Sequence, residues 1–330
     1  AIDIDGFSHR LALWVGIELL PERAISLLKF LSIFITRYGF ISAGTLHFRG
    51  AVMDTKNLIN LNAYPIDQDG AARDALIRSV RAQLHDDGCA VLKNFLTPYA
   101  VACLVKEADQ VAHLAHRSHS RTNPYFTKDD PSLPQDDPRR RFFDRSNAFI
   151  PADNFAPSGA LRQIQNFPAF DPFIKDCLEQ DRFYRYADPL ADVIINAADE
   201  GEGFPWHFDT NNFTITLAIQ MADEGGMFEY APNIRSDGEH FEDVCAVLDG
   251  TSDKVRSLQL EPGDLQLFKG RYSLHRVAPL TGKTPRYVAI FSYVEEPDMV
   301  GSPERTKQLY GRVLPIHLQR AGLRGDAYID

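Results

Sequence analysis

The spacing of apolar residues changes character along the chain, from helical in the first half to alternating in the second. Over residues 71–84, Ala75, Leu76, Val80 and Leu84 recur at helical spacing, and Asp86-Asp87-Gly88 follows as a stop signal. Residues 89–95, Cys-Ala-Val-Leu-Lys-Asn-Phe, read as a short buried strand. Thr97-Pro98 reads as an N-cap followed by proline at the first helical position. The helix it opens is expected to run to about residue 115, with Val101, Leu104, Val105, Ala108, Val111 and Leu114 inward. His113, His116 and His119 fall at its end beside Arg117 and Arg121, where cationic side chains suit the helix dipole. They are read as part of that end, not as a metal site. Residues 118–141 are polar, with Pro124, Pro131, Pro134 and Pro138, and predict a long loop that is disordered or a lid. Another helix is expected over 167–178, where Phe170, Ile174 and Leu178 share a face.

Beyond residue 190 the period becomes two. Residues 190–196 and 213–220 read as strands, the second alternating large apolar with small or polar side chains. Gly225-Gly226 turns into a short strand at 227–230, and residues 237–249 predict a helical insertion with Phe241, Val244, Cys245 and Leu248 on one face. Strands at 258–260 and 265–268 flank Glu261-Pro262-Gly263-Asp264, whose Pro-Gly centre suits a type II turn. The last long strand is expected over 286–294. Helices followed by many short antiparallel strands predict a mainly β protein, a sandwich or barrel with helical buttresses.

The first fifty residues carry apolar runs at 11–20 and 24–35, broken by Glu18, Pro21, Glu22, Arg23 and Lys29. The unbroken stretches fall short of the roughly 20 residues a membrane span needs, and no cleavage pattern marks a secretory signal. They predict a pair of amphipathic helices split at Pro21. Met53-Asp54-Thr55-Lys56 looks like a natural beginning. The expected organisation is an N-terminal extension over 1–64, outside the functional unit in one reading, and a single domain over 65–330. The 330 residues are 44% apolar and 24% charged, an ordinary globular balance. A net charge of −10 gives no overall basic surface for nucleic acid, and neither nucleic acid nor membrane is expected as a partner, which leaves room for a small-molecule substrate. Cys89, Cys103, Cys177 and Cys245 are far apart and read as ordinary thiols of a reducing compartment, the cytoplasm.

The chemistry concentrates in Trp206-His207-Phe208-Asp209-Thr210 and Gly270-Arg271-Tyr272-Ser273-Leu274-His275. In an extended segment His207 and Asp209 project to the same side. Two imidazoles and one carboxylate form a facial iron(II) site with open positions, provided the sheet folds His275 back onto the pair. A lone His-x-Asp is a weak signal. It gains weight from Arg286, ten intervening residues after His275 and at the start of an apolar strand, where a guanidinium can clamp a carboxylate bidentately. On its own, Arg145 reads as a surface ion pair.

At these residues the sequence resembles the iron(II)/2-oxoglutarate-dependent dioxygenase superfamily, over about residues 70–315. The strings His-Phe-Asp-Thr-Asn-Asn-Phe-Thr, Pro-Gly-Asp-Leu, Gly-Arg-Tyr-Ser-Leu-His-Arg-Val and Tyr-Gly-Arg-Val look like the branch of radical halogenases and hydroxylases of free amino acids. The resemblance implies a double-stranded β-helix, or jelly-roll, core. It implies that His207, Asp209 and His275 ligate iron(II), that Arg286 binds the distal carboxylate of 2-oxoglutarate, and that O2 is the second cosubstrate. Halogenases of the branch have glycine or alanine in place of the carboxylate, which opens a position for chloride; Asp209 fills it here, so hydroxylation is expected. Desaturation, epimerisation and cyclisation follow from the same hydrogen abstraction, and a cupin-like metal-binding protein without oxygenase activity would share the architecture. Candidate substrate contacts are Phe204, Trp206, Thr210 and Asn212 near the ligands, with Arg145, Arg271, Ser292 and Tyr310 from the resemblance or strand direction. Arg145 would take an amino-acid carboxylate.

Overall fold

The computed structural model describes residues 57–320. The helix pair expected before residue 53 lies outside the described residues. Strands β1 (Cys89–Leu92), β2 (His116–Thr122), β3 (Phe143–Ile150), β4 (Val193–Ala198), β5 (Phe204–His207), β6 (Thr214–Gln220), β7 (Phe228–Ala231), β8 (Arg256–Leu258), β9 (Leu265–Phe268), β10 (Leu274–Val277) and β11 (Arg286–Phe291) build two antiparallel sheets. A seven-stranded sheet has the order β1-β9-β6-β11-β4-β3-β2, and a four-stranded sheet the order β8-β7-β10-β5. Successive strands cross between the two, which is the double-stranded β-helix that the resemblance implies and a form of the β sandwich that the strand pattern predicts.

The large sheet separates two interiors because its side chains alternate. Val193, Ile195, Ala197, Ile215, Leu217, Ile219, Leu265, Leu267, Tyr287, Ala289 and Phe291 face the main hydrophobic core. That core is closed by helices α1 (Ala71–Asp87), α2 (Pro98–Val111), α3 (Ala160–Gln165) and α4 (Phe170–Leu178), through residues such as Val80, Leu84, Leu104, Ile164, Phe173 and Ile174. The intervening residues Ile194, Asn196, Thr214, Thr216, Gln266, Phe268, Arg286, Val288 and Ile290 face the small sheet across a cavity. Three further helices are α5 (Phe241–Leu248), α6 (Pro303–Tyr310) and α7 (Pro315–Gln319).

Local chemistry sets the boundaries. Gly88 ends α1 in the left-handed conformation at φ 62°, and the Thr97 hydroxyl accepts the Ala100 amide at 3.2 Å to open α2 behind Pro98. The turn at Glu261-Pro262-Gly263-Asp264 forms with Gly263 at φ 96° and the Asp264 amide donating to the Glu261 carbonyl. Its flanking strands do not pair with each other: β8 joins the small sheet and β9 the large one, so the turn is a corner between sheets. The fully buried Asp264 carboxylate holds that corner by accepting from the Asn94 and Glu261 amides and Lys93.

Four expectations are corrected. His116 and His119 lie on strand β2, not on the end of a helix; α2 stops at Val111 and a short 3-10 turn over Ala112–Leu114 leads into the strand. Leu114, expected inward, is exposed. The strand expected over 286–294 breaks at Ser292, where the chain switches partners to pair Tyr293–Val294 with Tyr184–Arg185. Leu58 and Ile59 are buried in the main core, and Ile59 bridges Leu96, so the packed domain reaches back past the boundary expected at residue 65. Among the described residues no helix is long and apolar enough to cross a membrane, and all four cysteines are free.

Candidate active site

Antiparallel pairing of β5 with β10 sets His207 directly opposite His275. The ladder then slips, because Val277 pairs with Phe204 and β5 spends three residues where β10 spends two. This is a bulge at Pro205 and Trp206, and proline is tolerated there because a bulge leaves its missing N–H without consequence. The extra residue turns both Phe204 and His207 into the cavity and Trp206 out of it. Asp209 follows in the loop after β5, tied by its amide to the Gly270 carbonyl at 3.0 Å.

The three side chains converge. Asp209 Oδ1 lies 3.5 Å from His207 Nε2 and 3.4 Å from His275 Nε2, and the imidazole rings are 4.0 Å apart. Among the described residues these three form the one His/Cys/Asp/Glu group compact enough to hold a metal ion. His207 Nδ1 is 2.8 Å from the Pro205 carbonyl and His275 Nδ1 is 2.9 Å from the Ser273 carbonyl. A carbonyl only accepts, so each Nδ1 carries the proton and each Nε2 presents a lone pair to the carboxylate. Burial, reinforced by the neighbouring His275, lowers the His207 imidazole to about 4, so the ring is neutral near pH 7. Burial pushes the Asp209 carboxyl up, but His275 and His207 together outweigh it and hold the group well below the usual carboxylate range.

Lone pairs facing a carboxylate repel unless a cation lies between them. The edges of 3.4 and 3.5 Å are only slightly wider than the roughly 3 Å edge of an octahedron with metal bonds of about 2.1 Å. Two further residues shape the carboxylate. Thr214 donates its hydroxyl to Asp209 Oδ2, and Gly270 makes room for it, since a Cβ there would stand 1.9 Å from Oδ2. Thr214 closes the quoted string that begins at His207, and Gly270 opens the string that ends in His275, yet neither carried an assigned role. Phe204, Phe126, Phe228 and Phe268 pack around the imidazoles at ring separations of 4.3 to 5.7 Å and keep the site dry.

The cavity in front of these groups measures about 180 Å³. Arg286 enters from the first residue of β11, is buried, and its Nε has no hydrogen-bond partner. Burial lowers its guanidinium to about 10, which leaves it cationic at neutral pH. Arg145 is 4% exposed and lines the same cavity, so the surface ion pair expected for it is wrong. Phe204 and Tyr310 also line it. The other candidates do not. Trp206 packs outward with Phe208 and Tyr125, under the Arg276 guanidinium at 4.8 Å. Thr210 and Asn212 serve the loop that bears Asp209: buried Arg271 donates to the Thr210 carbonyl at 2.8 Å, and Asn212 donates to Glu295. Ser292 is engaged through its backbone, donating to Asp192 and accepting from Tyr186.

The stretch 118–141 is expected to be a loop that is disordered or a lid; its first residues belong to β2, and residues 123–127 form a cavity wall through Phe126. Buried Asn123 accepts from the Tyr125 and Thr127 amides and donates to Thr127 and the Arg139 carbonyl, folding the loop over itself. Phe126 is thereby held at φ 58°, an unusual conformation for a bulky residue, with its ring 5.6 Å from that of His207. Arg305 of α6 completes the rim. No sequence signal marked Phe126 or Arg305, because each is brought in by tertiary contacts.

A family model described as Halogenase D matches residues 72–310. The chain belongs to the halogenase D family. The match bears out the resemblance read from the sequence. No curated protein matches the chain. Solved structures with similar folds include the epimerase SnoN, described in complex with Fe3+, alpha ketoglutarate and nogalamycin RO, at 13% identity and TM-score 0.48, covering 77% of this chain and 97% of that one. AviO1 from Streptomyces viridochromogenes Tue57 is 16% identical with TM-score 0.45, covering 72% and 100%. HygX from Streptomyces hygroscopicus, described with nickel, 2-oxoglutarate and hygromycin B bound, is 11% identical with TM-score 0.45, covering 66% and 86%. These likenesses are remote, and within the halogenase D family the chemistry of this chain rests on its own side chains.

Proposed function

We propose that the protein is an iron(II)- and 2-oxoglutarate-dependent oxygenase that hydroxylates a C–H bond of a small polar metabolite, a free amino acid or derivative. The observation that carries this reading is Asp209 Oδ1 standing 3.5 and 3.4 Å from the two bare Nε2 atoms. It supplies a full facial triad where a halogenase has a small residue and a halide. His207, Asp209 and His275 would hold the metal, and Arg286, whose Nε meets no protein acceptor, would take the distal carboxylate of 2-oxoglutarate.

When bound, iron and 2-oxoglutarate supply oxidative decarboxylation with O2, coupled to removal of a substrate hydrogen. The protein's part is positional. The Pro205 and Ser273 carbonyls keep the protons on Nδ1 and so leave both Nε2 atoms free to ligate. Thr214 and Gly270 fix which carboxylate oxygen of Asp209 faces the imidazoles. The phenylalanine walls exclude water, and Arg145 positions the substrate's acidic group beside the metal.

The reading is tested by anaerobic reconstitution with iron(II) and 2-oxoglutarate, followed by oxygen and a panel of amino acids. Succinate formed in step with a product one oxygen heavier is the expected result; product mass separates hydroxylation from desaturation, epimerisation or cyclisation. Asp209→Gly is expected to abolish hydroxylation and to open a position for chloride. Undiminished hydroxylation by that variant would remove Asp209 from the ligand set.

A further inference from the structure

Three hollows meet at one side chain. The metal cavity of about 180 Å³, a small void of about 10 Å³ and an outer cleft of about 710 Å³ are all lined by Phe204 and Val277. Phe204 is the partition between them. The bulge in β5 turns it inward, where its ring lies 4.3 Å from that of His207 and is covered by the Arg145 guanidinium at 4.1 Å. Gly203 lets β5 press against β10 at this point, since a Cβ there would stand 2.7 Å from the Val277 carbonyl. Beyond the partition the cleft runs between two sheet margins: β5 is the last strand of the small sheet and β2 the last of the large one. Gly203, Phe204 and Pro205 line it from one margin and His119, Ser120 and Arg121 from the other.

Size and chemistry say what the cleft is for. Small-molecule pockets measure about 300–1,000 Å³, a range that the metal cavity falls below and the cleft meets. Under the proposed function the metal cavity must take 2-oxoglutarate as well as the reacting part of the substrate, so the rest of the substrate needs room elsewhere. The cleft is the hollow that adjoins it. Charges on the cleft's rim are paired off, Arg121 with Asp144 at 3.4 Å and Arg276 with Glu229, which favours a neutral polar occupant over a further charge. The Ser120 hydroxyl beside it is buried and meets no protein partner. Marginal strands carry backbone N–H and C=O groups outside the ladder, and these pair with the amides of an extended chain. We infer that the substrate is an amino acid extended through an amide bond, a short peptide whose reacting residue passes Phe204 to the metal cavity while the remainder lies along the cleft. This inference rests on the oxygenase reading, and the two fail differently.

The full chain is loaded anaerobically with iron(II) and 2-oxoglutarate, and the metal-to-cosubstrate charge-transfer band is recorded. A panel covering every proteinogenic side chain is then titrated calorimetrically, each as the free amino acid and with glycine joined to its amino or its carboxyl end. At least one dipeptide is expected to bind tenfold or more tighter than the free amino acid it extends. His119→Trp, which crowds the cleft at an exposed position of β2, is expected to lose at least fivefold of that affinity while the charge-transfer band stays as it was. A free amino acid binding as tightly as the best dipeptide, no dipeptide binding at all, or unchanged dipeptide affinity in His119→Trp would each overturn the inference. The order of affinities in the unaltered protein decides the matter even if the variant fails to fold. A missing charge-transfer band would overturn the oxygenase reading itself, and a normal band without preference for the extended ligands would overturn this inference alone.

Discussion

Asp209 is held in place by residues that never touch the metal position. Gly270 is the sharpest case, because the missing Cβ is the space that Asp209 Oδ2 occupies. Gly270→Ala is expected to lower iron affinity by about 10- to 100-fold, the usual scale for disturbing a ligand's support, measured by metal titration of the apoprotein. His207 makes a second prediction. Its folded value near 4 lies below the 6.5 of the unfolded chain, so the unfolded state binds the extra proton between those values. The metal-free protein should lose stability as pH falls from 6.5 to about 4, by up to ~3 kcal/mol from this group, whose own contribution is complete below that range. Thermal melts across that range check it, and a flat profile would contradict a buried neutral imidazole. The clustering of His207, Asp209 and His275, proposed to hold the metal, was legible because His-x-Asp, a distant His and an Arg after ten intervening residues have characteristic spacing. Thr214 and Gly270 were not, because a threonine in an alternating strand and a glycine before a turn both have ordinary explanations.

Between residues 123 and 127 a single amide side chain replaces the regular ladder that would otherwise order a cavity wall. Asn123 is fully buried and both ends of its amide are in use. Asn123→Ala leaves those backbone groups without partners and is expected to cost about 2 to 3 kcal/mol, read from urea denaturation. Because Phe126 is carried by the same loop, the substrate KM of that variant should rise as well. Hydrophobic periodicity could not foretell this wall, since its order comes from one polar residue amid prolines. The misreading of β2 has the same root. His116–Thr122 alternates between half-buried and exposed positions, but every residue in it is polar, so a pattern built on apolar residues is silent. Where apolar residues do alternate, as over 213–220, the strand formed as expected, and the one expected over 286–294 formed as far as Phe291.

At the scale of the whole molecule, the family and the double-stranded β-helix were legible from motif and period together, whereas the crossing of β8 and β9 into different sheets was not. A turn with hairpin chemistry looks the same whether its strands pair with each other or with distant partners. The packed domain begins earlier than composition suggested, with Leu58 and Ile59 fully or nearly fully buried. A chain starting at Met53 keeps both residues and one starting at Asn62 lacks them, so the shorter chain should be less stable by about 3 to 6 kcal/mol. Equal melting temperatures for the two would show that this segment adds nothing. The large sheet also divides labour by the parity of residue number. On β4, β6, β9 and β11 the odd positions Val193, Ile215, Leu265 and Phe291 belong to the stabilising core, and the even positions Asn196, Thr216, Gln266 and Val288 meet whatever occupies the cavity. Drift at even positions can therefore retune substrate range while the odd positions hold the fold constant, which gives this scaffold room to change its chemistry without first losing its shape.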